Sequence, residues 1–258
     1  MTEEKANVSG RKVFFLYPPS VIQDELIYEF IKHGYEIYLL RDHSKTLLLL
    51  KQFKDSIFFI NIDKVLSQFQ WEEYIREIMS DPEMSEVKLG VLTYNIDPEM
   101  EKRYVEIIRL PYGYVRLKMA RQDSLDILLK NFESHEAKGR RQFVRARCEG
   151  DMPVTFYAKT RDETLTGRVL DISAAGMACE FDKEPNLAVH SRLAEIHINL
   201  HQVILRVPGS VSVVRGDARK AYIVMFDSDT SEVTLDKIYI YVFSNLQRFI
   251  ERKLKELK

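Results

Sequence analysis

The hydrophobic pattern changes near residue 134, and this change limits the folds that are open to the chain. Before it, short apolar runs rich in Val, Ile, Phe and Tyr alternate with longer amphipathic stretches. Runs of this length and composition are typical of buried β-strands. The runs are Lys12–Tyr17, Tyr35–Leu40, Ser56–Ile62, Lys88–Tyr94 and Tyr112–Leu117.

The stretches between these runs have the spacing of amphipathic helices. In one of them Asp97 precedes Pro98, the order expected for a helix N-cap followed by proline at the first helical position. Five strand-then-helix units predict an α/β domain over residues 11–134, with an open parallel sheet covered by helices on both faces. The predicted helices are Val21–Lys32, Ser44–Phe53, Trp71–Met79, Pro98–Ile108 and Gln122–Phe132.

Residues 146–230 have a different pattern, in which strand-like segments follow one another without helices between them. Turn-forming residues such as Pro208 and Gly209 punctuate the segments. Closely spaced strands of this kind predict a small antiparallel β-barrel, so the whole chain is α/β plus all-β. The segments are Val154–Ala158, Thr164–Leu170, Gly176–Phe181, Arg192–Ile198, Val203–Val214 and Ala221–Phe226.

Two further segments complete the predicted organisation. Residues 133–141 are polar and contain Gly139, which predicts a linker, residues 135–145, between the two domains. Residues 231–258 repeat apolar side chains at spacings of three and four, which predicts a C-terminal helix. We expect its first half to pack on the barrel and its last two turns to extend beyond the barrel. There they offer a surface for a weak homodimer, and a packed terminal helix in a monomer is the alternative.

Composition and charge exclude several classes of protein. The formal net charge is −1, which gives bulk nucleic-acid binding no global support, and we expect no nucleic-acid partner. Cys148 and Cys179 have neither metal-site spacing nor a disulfide framework, which favours a reducing compartment. No run approaches the roughly 20 apolar residues that cross a bilayer, and the first ten residues lack a signal-peptide core. We expect a cytoplasmic protein with no membrane insertion and no bound metal.

Two short motifs carry the most specific chemistry of the chain. Arg141–Arg145 reads R-x-x-x-R and is preceded by Arg140, in a segment with five basic residues and no acidic one between residues 137 and 147. Asp171–Gly176 reads D-x-S-x-x-G. Arginine binds phosphates bidentately and stacks on purine rings, and an ionised Asp accepts the two parallel N–H donors of a guanine edge. The basic segment therefore predicts a compact anion site on an otherwise balanced chain.

In this order, with a strand between them and a barrel pattern after them, the motifs resemble the ligand-binding motifs of PilZ domains. These domains are bacterial receptors for cyclic di-GMP, and the resemblance covers roughly residues 140–245. It implies that Arg141 and Arg145 each bridge a phosphate and the Hoogsteen edge of a guanine, the edge that arginine reads in DNA. It also implies that Arg140 influences whether one ligand molecule or a stacked pair is bound.

The same resemblance assigns expected roles to the second motif. Asp171 accepts from guanine N1 and N2, and Ser173 donates to a phosphate or braces the turn. Gly176 keeps the loop open to the ligand, because glycine permits positive φ and a close approach of the backbone. The implied ligand is cyclic di-GMP, with no other cofactor.

The N-terminal domain resembles, in architecture, the receiver domain of two-component signalling. A receiver needs an acidic pair after its first strand to hold Mg²⁺ and an acceptor Asp at the end of its third strand. Here Leu16–Pro19 contains no carboxylate, and Asn61 or Asp63 occupies the acceptor region. Thr93 and Lys118 lie at the ends of the fourth and fifth strands, where a receiver carries its hydroxyl and its lysine. The pattern predicts a degenerate receiver-like domain used for contacts, with an unrelated α/β domain as the alternative.

These features predict a non-enzymatic cyclic di-GMP receptor that regulates an unidentified protein effector. We expect ligand binding to order the linker and to change the arrangement of the two domains, and the resemblance implies a process in motility or surface behaviour. The chain has no Ser-His-Asp, P-loop or paired-carboxylate arrangement, so no catalytic residues are assigned. The alternatives are a scaffold with a degenerate receiver-like domain, and a phosphorelay output protein that accepts phosphate on Asp63.

Overall fold

The computed structural model describes residues 10–110, 112–135, 137–148, 153–160, 163–201, 203–216 and 220–257. The first nine residues, for which the sequence predicts no signal peptide, lie outside this description. The chain divides into two compact units. One unit runs to Gln142 and resumes at Leu246, and the other is Phe143–Asn245.

Within the described residues, the first unit contains a five-stranded parallel sheet in the order β2-β1-β3-β4-β5. This is a strand order of doubly wound α/β folds, and it confirms the predicted parallel sheet. The central strands are hydrophobic on both faces, and all six residues of β3 are buried. The strands are β1 Lys12–Leu16, β2 Glu36–Leu40, β3 Ser56–Asn61, β4 Lys88–Thr93 and β5 Tyr114–Arg116.

The helices of this unit follow the strands as the periodicity predicts. The carboxylate of Asp97 accepts a hydrogen bond from the Glu99 amide at 3.0 Å, so the predicted N-cap forms. Two of the predicted helices are partly π-helical, with Val21–Leu26 preceding α1 and Arg103–Ile108 following α4. The helices are α1 Ile27–Lys32, α2 His43–Gln52, α3 Gln68–Ser80, α4 Pro98–Lys102 and α5 Arg121–Ser134.

The second unit is a closed six-stranded antiparallel barrel among the residues that the structure describes. The strands are joined in the order β8-β7-β10-β11-β12-β9, and β9 pairs back with β8. A short additional strand, β6, pairs with the C-terminal end of β8. The strands are β6 Ala146–Arg147, β7 Thr155–Lys159, β8 Thr164–Ser173, β9 Gly176–Phe181, β10 Arg192–Leu200, β11 Val203–Arg215 and β12 Ala221–Phe226.

The dipeptide Pro208-Gly209 lies inside β11 and does not break it. Gly209 pairs with Leu193 on one side and with Phe226 on the other. A Cβ atom on Gly209 would lie 2.6 Å from the carbonyl oxygen of Met225. The glycine therefore permits a close approach of β12, which is a positional use of glycine in strands.

Helix α6, Glu232–Glu256, contributes to both units. In the barrel unit, Ile238 and Val242 are buried, and the Tyr241 hydroxyl donates to Cys148 Sγ at 3.6 Å. The sequence predicted that the last two turns extend beyond the barrel and are open to a second chain. These turns lie outside the barrel unit and pack within the first unit, where Ile250 is fully buried and Lys45 Nζ donates to the Leu254 carbonyl at 3.4 Å.

Candidate functional site

The first motif lies in a segment without regular secondary structure, and its two arginines are exposed. Arg140 and Arg141 are exposed and form no ion pair or hydrogen bond with any other residue that the structure describes. The segment is held by its backbone beside the turn after α1. Gly34, at φ 88°, has no room for a side chain there, because a Cβ atom would lie 2.6 Å from the Gln142 carbonyl oxygen. The backbone at Gln142 therefore passes close to the turn after α1, while the side chains of Arg140 and Arg141 extend into solvent.

The last arginine of the first motif reaches the first residue of the second. Strand β6 begins directly after Arg145 and pairs antiparallel with β8, with Arg147 opposite Asp171. This pairing places Arg145 Nη1 3.3 Å from Asp171 Oδ1. The side chains are 40% and 29% exposed, respectively, so both remain accessible from solvent. A strand of two residues is too short to be recognised in the sequence, and this contact was not predicted.

The second motif lies on the end of a strand and not after it. The sequence predicted that the strand ends at Leu170, but β8 continues to Ser173. A register shift between Val169 and Asp171 in the pairing with β9 marks a β-bulge. The bulge inserts one residue and re-aims the side chains that follow it, as β-bulges do beside functional sites.

Ser173 and Gly176 face each other across a two-residue turn formed by Ala174 and Ala175. The Ser173 hydroxyl donates to the Gly176 carbonyl at 3.4 Å, and the serine is only 3% exposed. Of the two roles expected for Ser173, this geometry favours bracing of the turn. A Cβ atom on Gly176 would lie 2.2 Å from the Val224 carbonyl oxygen, so the glycine also permits β12 to approach.

The structure thus brings Arg145 together with Asp171, and Ser173 together with Gly176. Arg145 and Asp171 offer guanidinium donors and carboxylate acceptors at one accessible point. Such a pair suits a ligand with a phosphate and a guanine edge, because the arginine binds the acceptors and the aspartate binds the donors.

The thiols near the site are not reactive nucleophiles at neutral pH. Burial raises the pKa of the Cys148 thiol to about 11, and the charge of Asp171 contributes to this shift. Burial likewise raises the pKa of the Cys179 thiol to about 12. Reactive cysteines need a lowered pKa, so both residues are structural.

The carboxyl ends of the parallel strands carry the residues that resemble a receiver. Asn61 is buried, and its side-chain amide donates to the Tyr17 carbonyl at 2.9 Å. The Asp63 carboxylate accepts from the Thr93 hydroxyl and from the Tyr94 amide, the latter at 2.8 Å. Asp63 therefore joins the loop after β3 to the end of β4.

Lys118, which follows β5, pairs with Asp123 at 3.3 Å. Within the described ranges there is no group of three His, Cys, Asp or Glu side chains with the geometry to hold a metal ion. None of the described helices has both the length and the apolar character that crossing a membrane requires.

Comparisons with known proteins identify the second unit. A family model for the PilZ domain matches residues 139–244, which confirms the resemblance drawn from the motifs. No curated protein sequence matches this chain.

Several solved structures are similar to a part of the chain. The PilZ domain of YcgR from Escherichia coli, solved with c-di-GMP, is 20% identical, with a TM-score of 0.40, over 44% of this chain and 97% of that one. The inhibitor of motility MotI/DgrA from Bacillus subtilis is 18% identical, with a TM-score of 0.35, over 47% of this chain and 55% of that one. The MrkH–c-di-GMP complex from K. pneumonia is 18% identical, with a TM-score of 0.39, over 46% of this chain and 57% of that one. The matches to MotI/DgrA and MrkH therefore span little more than half of those chains.

Proposed function

We propose that this chain, in which residues 139–244 form a PilZ domain, is a receptor for cyclic di-GMP that regulates a protein effector and catalyses no reaction. The observation that carries the proposal is the approach of the two motifs, with Arg145 Nη1 3.3 Å from Asp171 Oδ1. Their side chains are both partly exposed, and between them they offer the donors and acceptors that a guanylate ligand needs.

Ligand recognition exchanges this ion pair for contacts with the ligand. Arg145 turns its guanidinium to a phosphate and a guanine Hoogsteen edge, and Asp171 accepts from guanine N1 and N2. The exchange costs little, because an exposed pair contributes only about 0–1 kcal/mol. Arg141, and Arg140 beside it, close over the ligand from the exposed segment and bind its phosphates.

Regulation follows from ordering of the segment that carries the first motif. Binding fixes arginine side chains that are otherwise solvated, and we propose that this changes the arrangement of the two units and the surface seen by an effector. The receiver-like domain serves contacts in this scheme. The family points to motility or surface behaviour as the process. A cytoplasmic location belongs to the proposal, since the ligand is a second messenger and both cysteines are free thiols.

Isothermal titration calorimetry of the full chain with cyclic di-GMP tests the proposal, with separate titrations of GTP and cyclic di-AMP as controls for selectivity. We expect selective binding at micromolar concentration or below. Arg141→Ala and Arg145→Ala should each cost at least about 2 kcal/mol, roughly 30-fold in Kd, because each removes charge-assisted bonds to a phosphate. Arg206→Ala is the matched control: this arginine lies on β11, is 71% exposed, and should leave the Kd unchanged.

The stoichiometry of the titration shows whether one or two molecules bind. Unchanged affinity in both motif variants would remove the site assignment. No binding at all, without thermal stabilisation at high ligand concentration, would leave the scaffold interpretation.

A further inference from the structure

The motif-bearing segment, residues 137–142, lies against the first unit close to the start of β1. The Ala137 carbonyl accepts a hydrogen bond from the Arg11 amide at 3.0 Å. Gly10 lies directly beside Gly139, because a Cβ atom on Gly10 would lie 2.5 Å from the Gly139 nitrogen. The backbone that leads to the first motif is therefore in contact with this unit before the arginines begin.

His135, which ends α5, connects this segment to the core of the parallel sheet. Its ring packs on the ring of Tyr112, with the two centroids 3.6 Å apart and the planes at 34°. The Tyr112 hydroxyl donates to the His135 carbonyl at 3.1 Å. Tyr112 is buried, and its ring packs edge-on against Phe59 of β3. Two residues after the histidine, the Ala137 amide donates to the Phe132 carbonyl at 3.0 Å.

The surroundings of the His135 ring disfavour a positive charge on it. Burial lowers the pKa of His135, and the charges of Lys88, at the start of β4, and Arg11 lower it further. The Arg11 charge is partly balanced, because its Nε lies 2.9 Å from Asp55 Oδ1. A proton on the imidazole would therefore lie in a half-buried position beside two cations.

Two other groups near this position favour a cation. The face of the Tyr112 ring attracts an imidazolium. Glu133, on α5 itself, precedes the histidine by two residues and is exposed. The pKa of His135 is lowered overall, so these two groups do not outweigh burial and the two cations.

We infer that His135 is a pH-sensitive anchor for the motif-bearing segment. The neutral imidazole packs on Tyr112 and holds the segment against the first unit. Protonation adds a positive charge beside Lys88 and Arg11, where burial and like charges disfavour it. In a released state the imidazolium reaches water, so acid shifts the equilibrium from the packed state toward the released one.

The pH range of this effect follows from the same groups. A solvated histidine has a pKa of about 6.5. In the packed state, burial and the two cations hold the pKa of His135 below that value. The anchor is therefore complete above about pH 6.5 and weakens as the pH falls through the pKa of the packed imidazole.

The consequence for a ligand rests on the proposed function. Arg140 and Arg141 belong to the motif-bearing segment, and release of the segment removes them from the position in which the first unit holds them. We expect acid to weaken the binding of cyclic di-GMP for this reason.

Hydrogen exchange of the full chain, followed by NMR without ligand, tests the anchor itself. Protection factors, which correct for the intrinsic effect of pH on exchange, are measured at pH 7.5 and pH 5.5. Those of the Ala137 and Arg11 amides should fall about threefold or more in acid. In His135→Phe the ring still packs on Tyr112 but takes no proton, so this fall should disappear.

Matched variants separate His135 from general effects of acid. His33→Phe removes an exposed histidine at the end of α1 and should keep the fall. Lys88→Gln removes one of the two cations, so the fall should become smaller, which a purely structural role of His135 would not produce. The Leu117 amide, which donates to the Thr93 carbonyl in the same unit, should keep its protection in every variant.

Calorimetric titration with cyclic di-GMP at the same two pH values tests the consequence. The Kd of the native chain should rise more in acid than that of His135→Phe. An absence of cyclic di-GMP binding would refute the proposed function, while the exchange data decide the anchor independently.

Three exchange results would overturn the inference. The first is equal protection of the Ala137 and Arg11 amides at both pH values in the native chain. The second is an equal fall in His135→Phe, and the third is loss of the pH dependence in His33→Phe.

Discussion

The guanidinium of Arg145 and the carboxylate of Asp171 approach to 3.3 Å although 26 residues separate them. Strand β6 causes this approach, because it starts at the residue after Arg145 and lies against the end of β8. Two motifs that are separate in the sequence therefore meet at one accessible point. The pair has a small structural role, since exposed ion pairs contribute little to stability.

A double-mutant cycle over Arg145→Ala and Asp171→Ala separates stability from binding. In urea denaturation we expect a coupling energy below about 1 kcal/mol, because both side chains are partly exposed. In titrations with cyclic di-GMP, each single variant should lose at least about 2 kcal/mol of affinity. Asp171→Ala should also lose the preference for cyclic di-GMP over cyclic di-AMP, since the carboxylate reads the guanine edge. An intact preference would disprove the role of Asp171.

The main effect of Gly176→Ala should be a loss of barrel stability, larger than any loss of ligand affinity. The new Cβ would lie 2.2 Å from the Val224 carbonyl oxygen, and a backbone atom in a closed barrel has little freedom to move. We expect a cost of about 3 kcal/mol. Gly113→Ala is the control: its φ is 70° but nothing lies within 4 Å of the added Cβ, so about 1 kcal/mol is expected. Thermal unfolding compares the two variants, and equal losses would show that the close approach is not limiting.

The fold was predictable where burial dominates the choice of residues. The run Ser56–Ile62 is apolar without alternation, as a strand buried on both faces must be, and β3 forms there. The start of α4 was also predictable, because the N-cap Asp97 and the first helical residue Pro98 are adjacent in the sequence. The alternating pattern of Thr164–Leu170 located most of β8 for the same reason, since one of its faces fills the barrel.

Features that depend on pairing between distant segments were not predictable. Strand β8 continues past Leu170 through a bulge in its pairing with β9. The register of that pairing is not encoded in the local hydrophobic pattern of either strand. Strand β6 has two residues and carries no periodicity. The hydrogen bonds between the Gln247 side chain on α6 and the Leu39 backbone on β2 were also not predicted. An apolar repeat describes only the buried face of a helix and says nothing of its polar side chains.

The side chain of Gln247 forms hydrogen bonds with the backbone of β2, an edge strand of the parallel sheet. Its side-chain Oε1 accepts from the Leu39 amide at 3.1 Å, and its Nε2 donates to the Leu39 carbonyl at 2.9 Å. Gln247→Ala should cost about 1–2 kcal/mol, because two backbone groups of β2 lose their partners. Gln52→Ala, at an exposed position of α2, is the control and should be neutral. Hydrogen exchange at the Leu39 amide provides the local measurement, and unchanged protection in Gln247→Ala would contradict the assignment.

Glu72 is a buried carboxylate on α3, with a side chain only 2% exposed. Arg103 Nη2 donates to it at 2.7 Å and Arg76 Nη2 at 3.0 Å, while both arginines remain about half exposed. The hydrogen bonds and charge of Arg103 lower the pKa of Glu72 despite its burial. The carboxylate therefore depends on its arginines more than they depend on it.

This asymmetry predicts both a mutational order and a pH dependence. Arg103→Ala should destabilise the first unit more than Glu72→Gln, which should cost about 1 kcal/mol, because only the former takes from a buried charge the arginine that donates to both of its oxygens. Since the folded pKa of Glu72 is lowered, its contribution is complete above the unfolded pKa of about 4.3 and disappears as the pH falls through the folded value. Urea denaturation from pH 7 to pH 3 should show a smaller acid loss in Glu72→Gln than in the exposed control Glu73→Gln. Parallel curves for these two variants would mean that another carboxylate governs acid unfolding.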